Sequence, residues 1–210
     1  MAESKIQYYN HLKIHSQYSI CEGAIKIDDL KDYSKENKIQ SLGLCDTSNL
    51  CGALEFSEKI SKTGTQPIIG TQINFKYGDL IGLIPLFALN ERGYKRIIEL
   101  SSLSYLENNN LSEPYLDFNK LLGENNNKGI CLFTGTINGL FGQLFDKGKF
   151  TEIGEMYSKL KSNYNDRFYI EIQRHGDTNE ISFEKFNLTK SSELEIPIIA
   201  TNEVFYIDKN

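Results

Sequence analysis

Apolar segments typical of β-strands alternate along this chain with segments whose apolar residues recur at helical spacing. Strands are predicted over residues 10–15, 40–45, 67–75, 80–89, 129–133, 167–173 and 196–201. Helices are predicted from Asp28 or Asp29 with Leu30 and Tyr33 facing inward, and over 50–60, 91–106, 138–161 (two short helices) and 179–195. Gly78-Asp79 predicts a hairpin turn, and 107–114 and 125–127 predict loops. Repeated strand–helix units indicate an α/β fold with a parallel sheet and outer helices, either a barrel or an open doubly wound sheet.

The 210 residues suffice for one sizeable domain or two small ones, and the net charge is −5. Because the chain has no basic stripe, its composition argues against independent binding of nucleic acid. It contains no apolar run of about 18 residues, and residues 1–7 lack the apolar region of a signal peptide, which together predict a cytoplasmic protein with no membrane span. The four cysteines form no C-x-x-C pair, and we expect buried free thiols in a reducing compartment.

Polar residues fall where the predicted strands end, which is the edge that carries the chemistry in parallel α/β folds. These residues are His15, Asp46, Gln72, His175 and Asn202. Each has a structural alternative: Asp46 could cap the helix that follows it, and His15 and His175 could be turn residues. Their convergence on one rim favours a functional site.

The segment from His11 to Ser19, HLKIHSQYS, contains two residues that suit a metal site and one that does not. On a strand, His11, Lys13 and His15 point to the same face. Two imidazoles suit a metal cluster, but the lysine between them offers no lone pair as an ammonium and repels cations.

Several blocks of the chain resemble the PHP (polymerase and histidinol phosphatase) domain that begins bacterial DNA polymerase III alpha subunits. The blocks are residues 11–23, LCDTSNLCG at 44–52, PIIG at 67–70, ALNERGY at 88–94, YIEIQRHG at 169–176 and PIIATNEV at 197–204. The resemblance implies a distorted (β/α)7 barrel that forms one domain over residues 1–210. It also implies that the chain is the N-terminal part of a much longer polymerase, which agrees with the absence of a closing helix pattern after the last predicted strand.

The resemblance implies metal-ligand positions at which this sequence departs from the metal-binding relatives. Those relatives have His at Lys13, Asp-His at Asp46-Thr47 and an acidic residue at Gln72. They also have a His near Leu83 and Asp-x-His at Glu203-Val204-Phe205, whereas the residues retained here are His15, Asp46 and His175. We therefore treat nine positions as vestigial and predict no metal and no catalytic residue: Lys13, His15, Asp46, Thr47, Gln72, Leu83, His175, Glu203 and Phe205. A further hypothesis is that Lys13 fills the place of the metal and pairs with Asp46.

By the same resemblance, the segment is a non-catalytic domain that docks the proofreading exonuclease subunit and contacts other replicase subunits. Polymerisation with Mg²⁺ and contacts to DNA would belong to downstream domains, so no cofactor is expected here. One alternative is a residual metal-dependent phosphoesterase, a nuclease or pyrophosphatase that uses His15, Asp46 and His175. Another is a free-standing barrel that binds a phosphorylated metabolite. Candidate partner surfaces are the outer helices around Tyr94, Tyr105 and Tyr157, and the alternative for each is an ordinary solvated helix face or a core aromatic residue.

Overall fold

The computed structural model describes residues 9–107, 114–123 and 127–207. Most of the two predicted loops, 107–114 and 125–127, therefore lies outside the described residues. The strands are β1 (Lys13–Ile14), β2 (Ser41–Thr47), β3 (Gln66–Tyr77), β4 (Leu80–Ala88), β5 (Leu116–Asp117), β6 (Ile130–Phe133), β7 (Phe168–Ile172), β8 (Ile198–Ala200) and β9 (Glu203–Val204). The helices are α1 (Ile27–Glu36), α2 (Ala53–Ser61), α3 (Glu91–Leu106), α4 (Leu140–Asp146), α5 (Phe150–Tyr164) and α6 (Glu180–Leu194), with short 3-10 turns at Phe118–Leu121 and Asn165–Arg167.

The strands form one curved sheet in the order β8-β7-β6-β4-β3-β2-β1-β9, with β5 paired to β3. Only Thr201 and Asn202 separate β8 from β9, so one segment of chain pairs with β7 at its start and with β1 at its end. This segment joins the two ends of the sheet and closes it into a barrel. The predicted α/β barrel is therefore confirmed.

The predicted hairpin turn at Gly78-Asp79 is confirmed, and β4 runs antiparallel to β3 and also to β6, so the general prediction of a parallel sheet is wrong at this strand. The tight turn at Gly78-Asp79, where Gly78 has φ of +60°, is the cause. A two-residue turn reverses the chain and leaves no length for the crossover helix that a parallel partner needs.

A small apolar cluster on the strands consists of Cys45, Phe87, Cys131 and Phe133, with Leu12, Ile68, Tyr169 and Ile199 packed against it. The larger outer core lies between the sheet and the helices. A barrel strand is covered on both faces, which explains why most of the strands read as nearly continuous apolar runs.

Some predicted burial is wrong at the level of single residues. Tyr33 is exposed, because Leu30 and Ser34 form the inner face of α1 and Tyr33 lies at its margin. Cys45 and Cys131 are buried as expected, but Cys21 and Cys51 lie in loops and are exposed. Tyr157 is a core aromatic residue rather than part of a partner surface, because it is fully buried and donates a hydrogen bond to Asn187 Oδ1. Within the part of the chain that is described, no helix has the length and apolar character needed to cross a bilayer.

Candidate functional site

A cleft of ≈ 690 Å³ opens at the end of the barrel where the parallel strands terminate. Seven of the residues predicted from the sequence line it: Lys13, Gln72, Leu83, His175, Asn202, Glu203 and Phe205. His15 and Asp46 are buried beside the cleft rather than in its wall. The convergence expected from the strand ends is therefore present in the fold.

Lys13 is the central cation of the site and is 1% exposed. Its Nζ lies 2.5 Å from Glu203 Oε1 on β9 and 3.3 Å from Glu171 Oε1 on β7. Burial lowers the pKa of the Lys13 ammonium, but the two carboxylates outweigh burial and raise it above its ordinary value. Burial likewise raises the pKa of Glu203, but His15 and Lys13 outweigh it and bring the value to about 2.

The hypothesis that Lys13 pairs with Asp46 is wrong, because the carboxylates within ion-pair distance of Lys13 among the described residues are Glu171 and Glu203. Asp46 instead accepts hydrogen bonds from Ser16 N at 2.7 Å, from Ser16 Oγ at 2.9 Å and from Ser19 Oγ at 2.8 Å. It also does not cap α2, whose N-cap position is Gly52 without a side-chain hydrogen bond. Asp46 thus fixes the loop that follows β1.

His15 is fully buried, and its ring stacks on Phe205 with centroids 4.5 Å apart. His15 Nε2 lies 3.0 Å from Glu203 Oε2, within ion-pair distance. Nδ1 lies 3.4 Å from Ser19 Oγ. Phe205, at a position where the resemblance implies a histidine ligand, therefore contributes a packing surface for the imidazole.

His175 is exposed at the rim, with Nε2 3.0 Å from Gln173 Oε1. The carboxylate of Glu180, which lies at the start of α6, accepts hydrogen bonds from the backbone N–H groups of His175 and Gly176. His175 is therefore a turn residue, which was the alternative to a functional role given for it above. It also lines the cleft.

The remaining vestigial positions carry no charge. Gln72 Nε2 donates to Thr47 Oγ1 at 3.1 Å, and Thr47 Oγ1 donates to Glu22 Oε2 at 2.5 Å. Leu83 is half-buried in the cleft wall and offers no donor atom.

Sequence reasoning missed Glu171, Gln173 and Thr201. Their hydrogen bonds join β7 to the segment β8–β9 that closes the barrel, which we call the seam. Thr201 Oγ1 donates to Glu171 Oε1, and Gln173 Nε2 donates to Thr201 Oγ1 at 2.8 Å and to Glu171 Oε1 at 3.1 Å. A signal for Glu171 was present: a carboxylate between Ile170 and Ile172 in an otherwise apolar strand requires a buried partner.

The profile of the PHP domain matches residues 11–175 of this chain. The chain belongs to the PHP domain family. Among curated proteins it is 34% identical to DNA polymerase III subunit alpha of Caulobacter vibrioides, over 98% of the chain and 18% of that protein. The same subunit of Borreliella burgdorferi is 32% identical over 95% of the chain and 18% of its own length, and that of Vibrio cholerae is 30% identical over 94% and 17%. This PHP domain therefore spans less than a fifth of the length of the curated relatives it matches.

Two solved structures share the fold of this PHP domain at low sequence identity. An amidohydrolase from Chromobacterium violaceum, with bound SO4 and no metal, aligns with a TM-score of 0.58 and 11% identity over 93% of this chain and 87% of that one. A proposed metal-dependent phosphoesterase from Bifidobacterium adolescentis aligns with a TM-score of 0.52 and 12% identity over 94% and 87%. These likenesses support the barrel fold.

The residues of this PHP domain do not fit the metal cluster implied by the family. The Lys13 ammonium lies against both carboxylates that could bind a cation, and the oxygens of Asp46 accept hydrogen bonds from Ser16 and Ser19. Among the residues that the structure describes, no three His, Cys, Asp or Glu side chains are grouped so as to hold a metal ion. A metal placed here would have to displace a buried ammonium from two carboxylates.

Proposed function

We propose that this PHP domain is a non-catalytic domain of a DNA polymerase III alpha subunit and that it docks the proofreading exonuclease subunit of a replicase. The observation that carries the proposal is that Lys13, at a position where metal-binding relatives have histidine, forms ion pairs with Glu171 and Glu203. Hydrolysis of phosphoesters by a multinuclear site requires metals that bind the phosphate and activate water. A permanently paired lysine supplies neither function.

Similarity to DNA polymerase III alpha subunits over nearly the whole chain supports the replicase context. In that context, polymerisation and its Mg²⁺, as well as contacts to DNA, belong to parts of the longer polypeptide. The net charge of −5 agrees with a domain that contacts protein subunits rather than the phosphate backbone.

Docking is tested by mixing the purified chain with the proofreading exonuclease subunit of the same organism and measuring the complex by size-exclusion chromatography and calorimetry. The expected result is a stoichiometric complex. Failure of this chain to bind, while the full-length alpha subunit binds under the same conditions, would contradict the docking role.

The absence of catalysis is tested on the same protein after incubation with Mn²⁺ or Zn²⁺ and removal of free metal. We expect no metal above background and no hydrolysis of pyrophosphate, single-stranded DNA or bis(p-nitrophenyl) phosphate. Metal-dependent hydrolysis that is lost in Asp46→Asn would favour the residual phosphoesterase instead.

A further inference from the structure

A small cavity of ≈ 20 Å³ lies between helix α6 and the end of strand β7. Its polar lining includes Thr136, Glu171, Gln173 and Asn187. Cavities in proteins stay dry when their walls are apolar, whereas polar cavities that offer at least about 10–15 Å³ hold water. The size and the lining of this cavity therefore fit one water molecule.

Two atoms of the lining residues are buried without a hydrogen-bond partner among the residues that the structure describes. They are Asn187 Nδ2 and Glu171 Oε2, in side chains of residues that are 1% and 2% exposed. The hydroxyl of Tyr157 donates to Asn187 Oδ1 at 3.0 Å, so the oxygen of this amide is paired and its N–H₂ group is not. Because buried polar groups are almost always hydrogen-bonded, both atoms require a partner.

The other carboxylates around this cavity already have partners. Each oxygen of Glu180 accepts one backbone N–H of the turn at 175–176, at 2.9 Å and 2.8 Å. The two oxygens of Glu184 accept hydrogen bonds from the guanidinium of Arg174 at 2.7 Å and 3.0 Å. What the cavity still has to satisfy is one amide donor and one carboxylate acceptor.

We propose that this cavity binds one water molecule, which accepts a hydrogen bond from Asn187 Nδ2 and donates one to Glu171 Oε2. Water fits because it both accepts and donates hydrogen bonds. An amide N–H₂ group offers no lone pair to a cation, and the carboxylate repels an anion. The water site is independent of the proposed docking of a partner subunit.

This water completes the hydrogen bonding of the buried Glu171 carboxylate. Glu171 Oε1 accepts hydrogen bonds from Thr201 and Gln173 and lies 3.3 Å from Lys13 Nζ. With water on Oε2, both oxygens are paired, as a buried charge requires. Through Asn187, the same water connects helix α6 to the seam.

Water-selective nuclear magnetic resonance on the ¹⁵N-labelled natural chain tests the site. A bound water that stays longer than the protein takes to tumble gives a nuclear Overhauser cross-peak between the water resonance and the side-chain N–H₂ of Asn187. The hydroxyl proton of Tyr157 exchanges with water and lies near the same amide, so it could produce a similar signal. Tyr157→Phe removes that proton and keeps Asn187 Nδ2, and the cross-peak should persist in this variant.

A second measurement counts long-lived internal waters by ¹⁷O magnetic relaxation dispersion. Asn187→Leu replaces the amide donor with an apolar side chain of similar size and should lower the count by one. The matched control is Asn37→Leu, because Asn37 is exposed and its Nδ2 donates to Tyr33 O at the end of α1. This control should leave the count unchanged.

A missing cross-peak in the natural chain, its loss in Tyr157→Phe, or an unchanged count in Asn187→Leu would overturn the water site. If one of these two variants does not fold, the measurement on the other decides.

Discussion

The buried ammonium of Lys13 changes the pKa of the neighbouring Glu203 carboxyl. The side chain of Glu203 is 16% exposed and accepts a hydrogen bond from Lys13 Nζ at 2.5 Å. In the unfolded chain its carboxyl titrates near 4.5, whereas His15 and Lys13 outweigh burial in the folded protein and lower its pKa to about 2. The ionised form is therefore bound more tightly by the folded state, and stability is linked to pH.

The change tested at this scale is Glu203→Gln, compared with the natural chain from pH 7 down to pH 3. The contribution of Glu203 is fully present above its unfolded pKa of 4.5 and is lost as the pH falls from about 4.5 towards 2. Between pH 7 and pH 3, we expect the natural chain to lose on the order of 2 kcal/mol more unfolding free energy than the variant. Urea unfolding at each pH measures the difference, and parallel pH profiles for the two proteins would contradict the assignment.

Close approach between elements determines where glycine is required. Gly93 lies in the first turn of α3, where its N–H donates to Asn90 Oδ1 at 3.0 Å and caps the helix. A Cβ at this position would overlap the carbonyl oxygen of Gly129, just before β6. The absent side chain therefore allows α3 to begin against the sheet.

The matched pair Gly93→Ala and Gly154→Ala tests this packing. Gly93→Ala should destabilise the protein by about 3 kcal/mol, because rigid backbone faces the added methyl group. Gly154 lies in α5, and the nearest atoms to a Cβ added there belong to the flexible Lys190 side chain at 3.8 Å. Gly154→Ala should stabilise by about 0.5 kcal/mol through helix propensity. Both variants are measured by urea unfolding. Equal changes in unfolding free energy would show that helix propensity, rather than the contact with Gly129, determines the effect of Gly93→Ala.

The barrel as a whole is closed by a short seam. Strand β9 pairs with β1 at two positions, and β8 pairs with β7 at three. The remaining cross-links are side chains, in which Thr201 and Gln173 join Lys13 and its carboxylates. With few backbone pairs, this seam is where opening of the barrel should begin.

Thr201→Val tests the seam by removing the hydroxyl while keeping the shape of the side chain. Loss of its hydrogen bonds to Glu171 and Gln173 should cost about 2 kcal/mol. Native-state hydrogen exchange should then accelerate roughly ten-fold or more at the amides of residues 15 and 201, which cross the seam to Val204 and Ile172.

The control for the seam is Thr189→Val, which removes an exposed hydroxyl bonded to Lys185 O on α6. This change should leave exchange at both seam amides unaltered. Uniform acceleration across β3 and β4 in Thr201→Val would mean that the barrel opens only by global unfolding.

Much of the fold followed from local patterns, and the errors have physical causes. The bounds of α3 and the turn at Gly78-Asp79 were predicted correctly, because helical periodicity and turn chemistry are encoded in neighbouring residues. The pairing of β4 with β6 and the short strand β9 were missed, because they depend on partners far away in the chain.

The same distinction between local patterns and distant contacts applies to the candidate site. The sequence by itself determined the α/β class, the PHP family, and the presence of a lysine where metal-binding relatives have histidine. Only the tertiary structure decided that Lys13 pairs with Glu171 and Glu203 rather than with Asp46. Strand alternation determines the face to which a side chain points, but closure of the barrel determines which distant carboxylates meet it there.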